Sequence, residues 1–579
     1  PRTNAPLSRL PTPHPKHQPR NRPMAPETFL NEFKHLTNAP GGVTHLRETV
    51  LALAMRGELT KSTETDSAYA PDFEAARNWL AANAKELSRS RWRNSESVQL
   101  EEQPFALPKN WIWARVNDTG LYTNGLAFKP SDWCDSGTPI IRIQNLTNPG
   151  KPLNHARGDF PRSVTVEPGD LLVSWSATLA AFVWRGREAV LNQHIYRVEP
   201  CPETVRKQFL FWLLTWAIKR MATSEAAHGL VMTHINRGPF LAFPIPLPPL
   251  DEQDRIASKI DELMTLCDDL EAHQTESRRV QRNLCQSALQ RLGDANNPTE
   301  RARNWTFVHN AFPDLITRPE NIRELRKTIL QLAVTGHLVP QNPNDEPARH
   351  QIDGSGCSSL DPSDQVHCLG EKLPTGWEWV TLRGLGQIIG GGTPSKSRSD
   401  FWGGPVPWVR PKDMKTESIA DTSRHLSKKA LDETSVRLIP APALLVVTRG
   451  MILAHSFPVA RTETDVTINQ DMKALIPRAK SFLPFLALAC RGHAQHILGL
   501  VERSSHGTCR LSTTRLFDMP FGLPPLAEQK RIVAKVDELM SLCDRLEQQL
   551  TEAETTAQTL AATATATFTT TDNTRTPPR

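Results

Sequence analysis

The residues in this chain best suited to chemistry are hydrogen-bond donors and acceptors that could read a polymer of bases and phosphates. Arg and Lys fit the guanine edge, Asn and Gln the adenine edge, and either cation fits a phosphate. Two stretches collect such side chains on segments that read as loops. The first offers Lys129 beside Pro130, then Arg142, Gln144 and Asn145 leaving an apolar strand, then His228, Thr233, His234 and Asn236 around a His-Gly turn. The second offers Lys396 and Arg398 within GGGTPSKSRSDFW, then Arg410 and Lys412, then His506 and Arg510 around another His-Gly turn. Asn192-Gln193 and Asn469-Gln470 stand at matching places in both stretches. That match fits a shared turn or a fold-stabilising amide better than base reading.

Residue patterns for catalysis are not found. GGGTPSKS superficially resembles a phosphate-binding loop, but Ser395 stands where the Gly-Lys-Ser/Thr pattern needs glycine. There is no Asn-Pro-Pro-aromatic methyltransferase motif and no convincing carboxylate–lysine cluster of a nuclease. The nine cysteines form no Cys-x-x-Cys pair and no His/Cys group at zinc spacing. The chain alone is expected to be catalytically inert and to bind no metal. A self-sufficient enzyme with unfamiliar motifs would have to turn over without partners.

Composition agrees with a binding protein. A length of 579 residues predicts three or four domains, and 22% charged with 39% hydrophobic residues describe a soluble globular chain. The best apolar run, FLFWLLTWAI at 209–218, is shorter than the ~18 residues that span a bilayer. No secretory signal is present, so a cytoplasmic, reduced protein with no membrane contact is expected. The net charge is +6, but residues 105–245 carry 15 Lys/Arg against 10 Asp/Glu and residues 373–522 carry 19 against 12. Basic charge concentrated in two blocks is what two nucleic-acid-binding modules show.

The elements that must position these blocks are repeated. LPPLDEQDRIASKIDELMTLCDDLE (247–271) returns as LPPLAEQKRIVAKVDELMSLCDRLE (523–547), identical at 18 of 25 positions. The Pro-Pro pair ends an extended segment and lets a helix start behind it, with acidic residues in its first turn. An a/d seam runs through Ile256, Ile260, Leu263, Cys267 and Leu270, and through Ile532, Val536, Leu539, Cys543 and Leu546. The second seam continues through Leu550, Ala553, Ala557, Leu560 and Ala564, while the first turns polar at Gln274, Ser277 and Gln281. Each helix is expected to run about 35 to 40 residues, or ~50–60 Å, and to pack on the other. Upstream, VTHLRETVLALAMRGELT (43–60) matches NIRELRKTILQLAVTGHLV (321–339), each with a Gly placed as a helix C-cap. LPKNWIWARV (107–116) matches LPTGWEWVTL (373–382), whose four tryptophans read as core. The blocks themselves read as mixed β structure with helices at 204–221 and 482–497.

This set of motifs, LPPLxEQxRIxxKxDELM before a long helix, LPxxWxW and LRxxxLxLAxxGxL, resembles the specificity subunit of type I restriction–modification systems over residues 43–568. The resemblance implies an α+β fold with two mixed α/β target recognition domains separated by two long antiparallel coiled-coil helices, in a pseudo-twofold internal repeat. Its parts fall at 1–27 (a disordered basic, Pro-rich start), 28–104 (helical repeat segment), 105–246 (first recognition domain), 247–372 (spacer helix and linker), 373–522 (second recognition domain), 523–568 (second spacer helix) and 569–579 (disordered tail). It implies a reader of double-stranded DNA with a bipartite, asymmetric target, a role in bacterial defence, and partners comprising two modification (methyltransferase) subunits and restriction (translocase/nuclease) subunits. S-adenosylmethionine, ATP and Mg are then expected on those partners and no cofactor on this chain. The residues leave one alternative open: a scaffold that binds partners through its long helices and reads no DNA.

Overall fold

A computed structural model describes residues 37–60, 72–87, 92–226, 234, 236–295, 297–360, 373–503 and 507–569. The Pro-rich start at 1–27, the tail beyond 569, His228, Thr233 and His506 lie outside the described residues. The chain divides into two compact units, Pro1–Glu276 with Glu554–Arg579, and Ser277–Ala553.

In the first unit α1 (Gly42–Met55) and α2 (Phe73–Leu87) precede β1 (Ile112–Arg115), β2 (Gly120–Asn124), β3 (Thr138–Ile141), β4 (Asn154–Ala156) and β5 (Thr165–Val166). The chain goes on through β6 (Leu171–Ser174), β7 (Ala180–Val183), β8 (Ala189–Leu191), β9 (Ile195–Pro200), α3 (Lys207–Ala226) and β10 (Pro244–Leu247). The helix α4 (Leu250–Gly293) begins here and ends in the second unit. There follow α5 (Pro298–Asn310), α6 (Pro319–Val334), β11 (Glu378–Thr381), β12 (Gly386–Gly390), β13 (Trp402–Val409), β14 (Ser418–Ile419) and β15 (His425–Leu426). Next come β16 (Leu444–Val447), β17 (Val459–Thr462), β18 (Thr467–Ile468), β19 (Met472–Pro477), α7 (Leu483–Gly492), β20 (Val501–Arg503), β21 (Cys509–Leu511) and β22 (Pro520–Leu523). The last helix, α8 (Leu526–Thr569), begins in the second unit and ends in the first, so α4 and α8 run in opposite senses.

The two β-rich modules share a plan. The first has sheets ordered β2-β9-β6-β7 and β4-β3-β8-β5; the second has β12-β19-β16-β17-β14 and β15-β13-β18. The runs LLVS (171–174) and LLVV (444–447) are wholly buried, which explains why they show no polar alternation. The expected helices at 204–221 and 482–497 are Lys207–Ala226 and Leu483–Gly492, the latter followed after one residue by Ala494–Gly499.

The three repeated motifs are repeated because they touch one another. LPxxWxW forms the strand that pairs with the extended lead-in to each long helix, β1 with β10 and β11 with β22. Trp111 donates its indole N–H to Glu252 at 3.0 Å, and Trp377 donates to Glu528 at 3.0 Å. The neighbouring Gln253 and Gln529 donate to the carbonyls of Pro248 and Pro524, which lack an N–H-bearing successor to share the turn. Gly57 and Gly336, both at φ 73°, end the short helices, and a Cβ on either would collide with Pro108 or Pro374. Arg47 then bridges Asp268 and Glu271, and Arg326 bridges Asp544 and Glu547. Glu252 stands with Asp251 in the first turn of its helix, as the sequence suggested, and both Glu252 and Glu528 are also buried acceptors. Of the four tryptophans, Trp111 and Trp377 are core, and Trp113 and Trp379 are half-buried.

Each long helix has 44 residues, about 66 Å, a little longer than expected. Ile256, Ile260 and Leu263 pack on their own module, with α1 and α3, and Ile532, Val536 and Leu539 join the core of the second unit. Cys267 and Cys543 are buried, and burial raises both thiols. The polar positions Gln274 and Gln281 donate to the carbonyls of Thr37 and Asp314. Beyond Leu550 the seam of α8 is kept at Ala557 and Ala564 and lost at Ala553 and Leu560. Leu560 is 45% exposed, and Ala561 and Ala564 are buried beside Ala39. Among the described residues no helix is long and apolar enough to cross a membrane.

Candidate nucleic-acid interface

Register alone gathers the candidate residues at one end of each module. β3 and β8 run parallel, Ile141 opposite Leu191, so Arg142 and the Asn192–His194 turn leave the sheet together. β2 ends at Asn124 opposite Tyr196, and β6 ends at Ser174 opposite Ile195, which brings two more loops to that end. The second module repeats this, with Val409 opposite Ile468 in parallel strands, Gly390 opposite Lys473, and Val447 opposite Met472. The Asn-Gln turn is the hub of both: Leu126 donates to Leu191 O at 2.8 Å and Gly392 to Ile468 O at 2.9 Å.

The Asn-Gln amides act as expected of fold-stabilising groups in the second module. Asn469 is buried; its Oδ1 accepts from the Asp471 N–H and its Nδ2 donates to the Asp471 carboxylate. Gln470 accepts from Thr393 Oγ1. Gln193 remains exposed on the first module's rim.

The other candidates divide into available and committed groups. Lys129, Gln144, His234, Asn236, Lys396, Lys412 and Arg510 are exposed. Arg142 stacks on Trp133, 5.2 Å from the ring centre, with its Nη1 only 3.4 Å from Asn154 Oδ1, and shows no ion pair among the described residues. Asn145, three residues on, is buried with its amide spent on the Arg142 N–H and the carbonyls of Lys151 and Pro152. It shapes the loop and has no free edge for a base. Arg410 holds the position equivalent to Arg142 but is braced by both oxygens of Asp413 and by Ser423. Arg398 lies over Phe401 and is held by Asp400 first and Glu433 second, which raise its pKa further. His234 bonds Ser176 Oγ through Nδ1 at 3.0 Å, across an isolated strand bridge.

Two rim residues were missed from the sequence. Trp175, half-exposed between Asn124 and His194, donates its indole N–H to Asn124 Oδ1. Arg449 is exposed and bridged to Arg510. The available signal was the Arg-Gly pair at the end of the apolar run 444–447, where the first module has Ser176-Ala177.

Comparison with known proteins agrees with this duplicated plan. Residues 108–277 and 374–554 match the family described as type I restriction modification DNA specificity domain. The Escherichia coli protein named type I restriction enzyme EcoAI specificity subunit is 26% identical over 560 residues, covering 89% of this chain and 91% of that one. The EcoEI specificity subunit, also from Escherichia coli, is 24% identical over the same shares of both chains. The EcoR124I/EcoR124II specificity subunit of Escherichia coli is 32% identical over 176 residues, 30% of this chain and 43% of that one. With both modules matched, together more than half its length, the chain belongs to the type I restriction modification DNA specificity family.

Proposed function

We propose that this chain is the DNA-reading subunit of a multi-subunit methyltransferase and endonuclease. The observation that carries this reading is the pair of basic modules that gather donor-rich loops at the same end of one fold while differing in the residues presented. Phosphate contacts supply sequence-independent affinity, and base-edge contacts the discrimination. Because Arg142, Ser176 and His234 in the first module face Arg410, Arg449 and Arg510 at equivalent places in the second, the target is two unlike half-sites. The long helices set their spacing. S-adenosylmethionine, ATP and Mg belong to the partner subunits, and this chain contributes recognition and no bond-making chemistry.

The test is to map methylated adenines in cells that express this chain with its cognate modification subunit, beside cells without this chain. A split motif that depends on the chain is expected. Exchanging residues 105–245 for another such block should change one half of it. A complex that assembles without producing any motif would leave the scaffold reading.

The repeat also supports two partner subunits of one kind. Leu266 on α4 and Leu542 on α8, related by the repeat, are 56% and 44% exposed. Beside Leu542 lies an apolar groove of about 880 Å³ between α4, α5, α6 and α8, lined by Leu289, Trp305, Ile329, Leu539 and Leu546. Exposed apolar patches of this kind mark protein contacts. Leu266→Asp and Leu542→Asp are each expected to remove one modification subunit from the complex, and the double variant both, measured by mass in light scattering. Two intact partners on the double variant would exclude these surfaces.

A further inference from the structure

We infer that Arg449 and Arg510 are a specificity-determining pair that reads guanine in the half-site of the second module. The inference rests on the DNA-reading function above and names the chemistry that one of its modules recognises.

The two residues are directly opposite in an antiparallel bridge. The backbone holds them there: the Arg449 N–H and the Thr448 N–H both donate to Asp471 O, Gly450 donates to Cys509 O and Leu511 donates to Thr448 O. Side chains opposite each other in such a bridge share a face, with Cβ atoms about 5 Å apart, and like charges placed so repel. Both are exposed, and neither guanidinium has an ion pair or hydrogen bond among the described residues. The nearby carboxylates are engaged elsewhere. Asp471 takes the amides of Asn469 and Gln470, and Glu502, opposite Arg510 in the β20–β21 register, pairs with Arg515. The chain thus carries two like charges side by side at the rim, and the one carboxylate opposite Arg510 among the described residues, Glu502, is bonded to Arg515.

The first module has different chemistry at the same bridge. Ser176 and His234 face each other there and satisfy one another through a 3.0 Å hydrogen bond. A contact made to backbone phosphate would serve both modules equally, so a difference at a conserved structural position points to base reading. Two adjacent forks of N–H donors match the O6 and N7 acceptors of guanine in the major groove.

The experiment uses the full chain with its modification subunit and maps methylated sites for wild type, for Arg449→Ser with Arg510→His, and for the single variants Arg449→Lys and Arg510→Lys. In the first variant, one or two G·C positions of the second half-site are expected to become degenerate, with discrimination falling about 5- to 150-fold at each. The first half-site should stay unchanged, which also shows that the complex assembles. The lysine variants keep the charge but lose the planar fork, so they should relax the same positions without altering salt sensitivity. A second half-site with no G·C pair in the wild-type motif would overturn the inference. So would an unchanged motif with uniformly weaker methylation in the serine/histidine variant, the mark of phosphate anchoring. Absence of any motif from the wild-type complex would instead overturn the DNA-reading function itself.

Discussion

Gly391→Ala is expected to abolish recognition of the second half-site while the first is still read. A Cβ at this position would lie 2.0 Å from Asn469 O and 2.4 Å from Ile468 O, both backbone atoms. Side-chain rotation cannot relieve that overlap. Gly125 is its counterpart, 2.3 Å and 2.4 Å from the carbonyl oxygens of Leu191 and Asn192. Glycine is needed for close approach here, so that the next N–H can reach the carbonyl before the Asn-Gln turn. Pushing the segment away breaks that bond and displaces the hub from which the rim loops leave. Overpacking alone costs about 1–3 kcal/mol, and the lost buried bond about 1–3 kcal/mol more. Methylation at the cognate motif should fall more than about 100-fold for either variant, Gly125→Ala degrading the first half and Gly391→Ala the second. Gly499→Ala in the second module, whose Cβ meets nothing within 4 Å, is the matched control. It should retain the wild-type motif and melting temperature. An intact second half-site in Gly391→Ala would show that the Asn-Gln turn does not organise the reading loops.

What the sequence disclosed follows from what each signal reports. A duplicated helix is visible because its apolar stripe and Pro-Pro start are local. The contact of Trp377 with Glu528 spans 151 residues, so the repeats could be counted but not joined. The roles of individual polar residues were least legible. Asn145 and Gln144 are adjacent and equally suited to an adenine edge, yet only the loop geometry at 148–152 decides that Asn145 is consumed by carbonyls. Arg142 and Arg410 occupy one position in the duplicated fold, and the difference between them is the residue three places on, Asn145 against Asp413. Arg449 was hidden because the run of buried aliphatics before it reads as core. The heptad of α8 failed at Ala553 and Leu560, which stand exposed, while Ala557 and Ala564 keep it.

Glu528 is the point where the repeat should be most sensitive. Its carboxylate is 1% exposed and accepts from Trp377 Nε1 and Gln341 Nε2. Burial raises its pKa, opposed by those two bonds and by the nearby Arg531. Glu528→Ala leaves the buried Trp377 indole N–H without an acceptor, frees the exposed Gln341 amide and opens a small cavity. A loss of about 1–3 kcal/mol is expected from the one buried unsatisfied donor, with thermal melting of the full chain as the measurement. Glu528→Gln keeps an acceptor oxygen and removes the charge. Since the folded pKa is raised above the unfolded value, the wild-type contribution is fully present below the unfolded pKa of about 4.3 and is lost as pH rises through the folded value. The Gln variant should therefore match or exceed wild type at neutral pH and show a flatter stability profile above pH 4.3. Trp377→Phe should cost less than the Ala variant, and the double substitution less than the sum, because both remove the same bond. Strict additivity would mean that Trp377 and Glu528 stabilise the second unit independently, and the contact that joins the repeated motifs would lose its energetic role.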